Sequence, residues 1–271
     1  MILLQNSISP SSTIAGGTGG LLFGNQWDMI MRTLLMAAIA ALSFTGSASA
    51  HHLWLEADGQ GAKLYFGEFE GNLREASPGL LDRFTPLPEA KVVGAAGAQP
   101  LKLDKSPSAF VLSGLIGAGD SIVAEQARVT ERKQADKAIR TLGRLAARYV
   151  PDFADRAPVL TLDIVPTGKP GAFRVVYDGK PLAKAKLELI AESGWKREFH
   201  TDEQGAVGVS LPWRGAYVIE VEHLEAAGGG EGAGAYDRKR FVTALSFRVT
   251  DGAEGPPAPP LTVPKRGAMA E

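Results

Sequence analysis

In this chain apolar residues recur at every second position in short runs, and glycine, proline or an Asp-Gly pair closes each run. The pattern is clearest in the second half. Tyr217, Ile219 and Val221 fall on one face of a strand, with Glu220 and Glu222 on the other. Phe173–Tyr177, Lys184–Ala191, Trp195–His200, Ala206–Leu211 and Phe241–Val249 repeat it, and Asp178-Gly179 and Thr201–Gly205 supply turns between them. About six short strands in this order predict an antiparallel β-sandwich over residues 158–250, entered through Pro158–Pro166. With 32 Gly and 17 Pro, the composition favours strands and turns over long helices.

The preceding segment, 51–157, reads as a second β-rich domain. Leu53–Glu56 and Ala62–Phe66 are strand candidates joined by the turn Asp58-Gly59-Gln60-Gly61, followed by a long polar connection over 67–90. Ala90–Val93, Pro100–Leu103, Phe110–Leu112 and Asp120–Ala127 continue the strand pattern. Thr130–Tyr149 departs from it. Ala135, Ala138, Ile139, Leu142, Leu145 and Ala146 recur at three- and four-residue steps with Lys and Arg between, which predicts an amphipathic helix ended by Pro151. The fold class expected is therefore mainly β: two antiparallel immunoglobulin-like or prealbumin-like sandwiches with one helix between them.

Both ends are expected to lie outside the fold. Arg32, the apolar run Thr33–Phe44 and Ala48-Ser49-Ala50 form an export signal with a small-residue cleavage site. The apolar run is shorter than the ~20 residues a bilayer-spanning helix needs. Residues 1–50 are thus expected to be removed, leaving a periplasmic protein that does not span the membrane. The Pro- and Gly-rich tail, 251–271, is expected to be disordered. The chain has no Cys, which removes disulfides, thiolate metal sites and cysteine nucleophiles. Its 29 Lys and Arg balance 30 Asp and Glu, so a nucleic-acid partner is not expected.

No nucleophile elbow, phosphate loop or dinucleotide fingerprint is present, and the glycine run Ala226–Ala235 leads into no helix. No catalytic role is expected. The four His are the residues with chemistry to offer. Cleavage after Ala50 would make His51 the first residue, where α-amine and imidazole form a chelating pair. One further imidazole would complete a three-nitrogen site suited to Cu(II) or Ni(II). Cleavage after Ser49 would instead put His52 third, able to bind through its ring, the amine and two backbone amides. Strand alternation sets His51 with Leu53 and Leu55, and His52 with Trp54, Glu56 and Asp58. His223 ends the YVIEVEH strand on its apolar face, as a half-buried His or a ligand, while His200 shares a face with charged residues.

The start HHLWLE, His51–Glu56, resembles a family of exported proteins associated with periplasmic components of cobalt- or nickel-type uptake. LDIVPTGKPG, VVYDGKPLAKAKLEL and TDEQGAVGVSLPWRGAYVIEVEH, between Leu162 and His223, agree with it and look like prealbumin-like sandwiches. The resemblance implies metal ligands at His51 and His52, with His223 matching in position. It implies a periplasmic accessory protein that binds Ni, Co or Cu and serves a membrane metal transporter. The alternative is a module that binds a peptide or glycan, with Trp54, Trp195 and Trp213 as contact residues. Copper-dependent oxidative chemistry is a third possibility, for which no supporting His or axial Tyr can be placed.

Overall fold

The computed structural model describes residues 51–58 and 61–264, and they form strands and no α-helix. The strands are β1 (His52–Asp58), β2 (Gly61–Glu68), β3 (Leu73–Arg74), β4 (Glu89–Gly94), β5 (Gly97–Lys105) and β6 (Phe110–Ser113). A long hairpin follows, β7 (Ser121–Gln134) and β8 (Lys137–Tyr149). Next come β9 (Leu162–Pro166), β10 (Ala172–Tyr177), β11 (Lys180–Pro181), β12 (Lys186–Ala191) and β13 (Lys196–His200). The last are β14 (Ala206–Gly208), β15 (Gly215–Glu225) and β16 (Arg238–Val249). The segment expected to be an export signal, the central residues Gly59 and Gln60 of the first turn, and residues 265–271 of the tail lie outside the described residues.

The helix expected over 130–149 is replaced by the β7–β8 hairpin. Ala135, with φ of 53°, and Asp136 make its turn, and pairing runs from Gln134↔Lys137 to Ile122↔Tyr149. Near Tyr149 both faces of β8 are covered. Ala147 packs into one core, while Ala146 and Arg148 are buried on the opposite side. Burial on both faces erases the two-residue alternation and leaves apolar spacings that imitate a helix.

Twelve strands belong to one sheet, whose main path is β1-β2-β6-β5-β4-β7-β8-β16-β15-β12-β13. β8 and β16 pair in parallel over nine residues, from Thr141↔Arg238 to Tyr149↔Ser246, and every other strand pairing among the described residues is antiparallel. This pairing carries the sheet straight from residues 51–157 into 158–250. β9, β10, β11 and β14 form a second sheet. The Asp178-Gly179 turn, with φ of 49° and 73°, has both central residues in the left-handed region that two-residue hairpins favour.

Three apolar clusters hold these sheets together. Leu53, Leu55, Leu64 and Phe110 meet Ile122, Ala124 and Ala147 within the curled first part of the large sheet. The opposite face of β1 and β2 carries Trp54 and Tyr65, which together with Phe69 just past β2 pack on Ile190, Val218 and Ala244. Beyond that strand layer, Leu189, Tyr217, Ile219 and Phe247 close against Ile164, Phe173 and Val175 of the small sheet. β1 is therefore covered on both faces, and Ser246 Oγ accepts the Leu55 N–H at 3.2 Å. Residues 251–264, expected from composition to be disordered, are laid along the fold. Thr262 exchanges backbone hydrogen bonds with Asn72 and Arg74, and the Arg214 N–H donates to Ala253.

Candidate functional site

β1 alternates as its sequence demands. His51 lies on the face of Leu53 and Leu55, its ring 5.3 Å from that of Phe66. His52 turns to the opposite face, its ring 5.6 Å from Trp54. The two imidazoles therefore diverge.

Each is gripped by carboxylates from other strands. His51 Nε2 is 2.7 Å from Glu75 Oε1, which β3 and the residues after it bring back alongside β2. His51 Nδ1 is 3.5 Å from Glu68 Oε1 at the end of β2. The ring keeps about a quarter of its surface exposed, at 26%, whereas Glu75 is buried. His52 is buried, and its Nδ1 is 3.0 Å from Glu220 Oε2 on β15. His223 belongs to a different environment. It projects from β15 with Tyr217 and Val221, opposite to Glu220, and packs at a tilt against Tyr177, ring centres 4.3 Å apart, and near Phe241. The β15 sheet thus separates His223 from His52. His200 is exposed on β13, 3.7 Å from Glu198.

The structure consequently does not gather His51, His52 and His223 into one pocket. Among the described residues, no group of three or more His, Cys, Asp or Glu side chains is arranged to hold a metal. What the fold does assemble is the pair His51 Nδ1 and Glu68. Two donors that each bond one ion at about 2.0–2.2 Å stand roughly 3 Å apart when at right angles. The 3.5 Å separation is close to that. Glu75, meanwhile, occupies the other ring nitrogen, as the outer carboxylate commonly does behind a ligating His. The sequence reading missed both glutamates, because they lie in a polar stretch with no ligand-like spacing.

A second feature lies beside β1. A cleft of about 750 Å³ is lined by residues of β1, β2, β3, β6, β8, β15 and β16 and by Ala258 of the tail. Trp54 is sealed within its wall, while Trp195 and Trp213 pair with each other at 5.5 Å elsewhere. Burial raises the Tyr65 hydroxyl pKa at this cleft, with Glu56 adding to the shift and Arg74 opposing it. Comparison with protein-family models and with curated proteins gives no match, so the chemistry of these residues is what a functional assignment has to rest on.

Proposed function

We propose that the protein is an exported metal-binding accessory protein that captures Ni, Co or Cu and passes it to a membrane transporter. The observation that carries this reading is the clamped His51 ring. Glu75 fixes Nε2, and Nδ1 is turned toward Glu68. Release of residues 1–50 would add the α-amino group of His51 beside Nδ1, making a set of two nitrogens and one carboxylate oxygen. Imidazole and amine nitrogens suit Cu(II) and Ni(II), and a single carboxylate keeps the site weaker than an all-nitrogen one. A moderate grip is appropriate for an ion that is cargo. His52 and His223 are structural in this reading. His52 joins β1 to β15 through Glu220, and His223 packs on Tyr177.

Calorimetry on protein that begins at His51 is expected to show one equimolar site for Ni(II) or Cu(II). Glu68→Gln should weaken it by about tenfold or more, at least the loss that mutating an outer partner of a ligand gives. A one-residue N-terminal extension or His51→Ala should abolish it, and His223→Ala should leave it intact. Equal affinity in the extended and processed proteins would overturn the proposal.

A further inference from the structure

The cleft beside β1 is built differently from the His51 site: it is lined from both faces of the strand, and neither His51 nor Glu68 nor Glu75 is among its walls. One wall is a continuous polar ladder. Glu56 Oε1 accepts from Trp54 Nε1 at 3.1 Å and from Arg74 Nη2 at 2.9 Å, and Glu56 Oε2 accepts from Arg74 Nη1 at 3.3 Å. The Arg74 guanidinium carbon sits 4.0 Å from the centre of the Tyr65 ring. Asn72 extends the ladder by donating Nδ2 to the Pro259 carbonyl at 2.9 Å. Across the cleft, Arg248 stands 3.8 Å from Glu192. The half-buried Tyr149 lies near them. Its hydroxyl pKa is pushed up by burial, pulled down by Arg248 and raised by Asp58.

This arrangement selects by exclusion. Three carboxylates (Glu56, Asp58, Glu192) and three cations (Lys63, Arg74, Arg248) line the space, so its formal charges cancel and an ion of either sign gains no net charge partner. An extended peptide adding to the open edge of β1 would have to displace Ser246 from the Leu55 N–H. An apolar ligand would strip water from charged groups without replacing it. A neutral polyhydroxyl compound meets none of these obstacles. Each hydroxyl both donates and accepts, and each carboxylate–guanidinium pair presents an acceptor and donors side by side in fixed geometry. The cleft volume falls within the usual 300–1,000 Å³ of small-molecule sites. We infer that this cleft binds a short, uncharged oligosaccharide. The site is independent of the metal reading and stands if that fails.

Calorimetry with maltotriose, cellotriose and chitotriose tests it, with Gly-Gly-Gly as the zwitterionic control. At least one trisaccharide should bind with 1:1 stoichiometry. Arg248→Ala, at an exposed side chain, and Tyr149→Phe should each weaken it by about tenfold, the usual cost of one or two lost polar contacts. His51→Ala should bind the sugar as the parent does. Failure of all three sugars to bind at millimolar concentration would overturn the proposal. So would tighter binding of Gly-Gly-Gly, or sugar affinity that neither substitution changes.

Discussion

Arg148 and Asp163 form an ion pair at 2.7 Å with side chains 1% and 0% exposed. Asp163 Oδ2 also accepts the N–H groups of Val159 and Leu160, and both Arg148 terminal nitrogens donate to the Ala157 carbonyl. The pair ties the irregular segment after Tyr149 to β8. Burial pushes the Asp163 carboxyl pKa up and the Arg148 pKa down, against their mutual attraction. Removing one member strands the other charge. Arg148→Met should therefore cost about 3–5 kcal/mol in urea unfolding, and adding Asp163→Asn should recover part of that loss. A cost below about 1 kcal/mol for the single variant would contradict the pairing.

A second residue-scale prediction concerns pH. Lys105, the Gly79 N–H and Ser77 surround the exposed Asp82 carboxylate and pull its pKa down to about 2. A carboxylate depressed in the fold adds stability that is fully present above its unfolded value near 4, and the gain is lost as pH falls toward 2. NMR titration of the Asp82 carboxyl should show a midpoint near 2, and Asp82→Asn should flatten acid unfolding across that window. A midpoint near 4 would refute the assignment.

At the scale of elements, the β7–β8 hairpin is both the main departure from the sequence reading and a place to test it. Ala135 holds a left-handed conformation that Asn or Gly adopts at lower cost. Ala135→Asn should raise stability by about 0.5–1 kcal/mol, and a loss of stability would argue against this turn. In the second half the end of β15 was legible because Glu220 and Glu222 alternate there with Ile219 and Val221, and the Gly-containing turns marked where strands stop. β1 was legible for a different reason: its apolar run is short and a glycine-rich turn closes it, and strand geometry alone then puts Trp54 and Leu55 on opposite faces. β8 was not, because Ala, Leu and Arg are strong helix formers and its strand state is imposed by β7 and β16. The cleft was equally invisible. Glu56, Arg74, Tyr149 and Arg248 come from four strands and share no spacing. Of the metal reading, the place of His51 was legible and its carboxylate partners were not.

For the whole molecule, the shared sheet implies shared stability. Trp54 joins β1 to β12, β15 and β16, so neither half keeps its core without the other. Calorimetric unfolding of residues 51–271 should give one transition with matching calorimetric and van't Hoff enthalpies, and two separated transitions would show independent domains. The tail contributes as a strap. Deleting residues 251–271 should lower the melting temperature by about 2–4 °C, as for a loss near 1 kcal/mol. Hydrogen exchange should quicken at the Arg74 and Arg214 amides, which the tail carbonyls now occupy.

The parallel match between β8 and β16 also fixes an order of events during synthesis. Thr141 meets Arg238, a residue 97 positions later, so the middle of the sheet cannot be completed until nearly all of the polypeptide has been made. Such distant pairings slow folding, and meanwhile one border of β8 is a bare ladder that a neighbouring copy could occupy. Until β16 arrives, that border of β8 is where wrong pairing costs the nascent chain most.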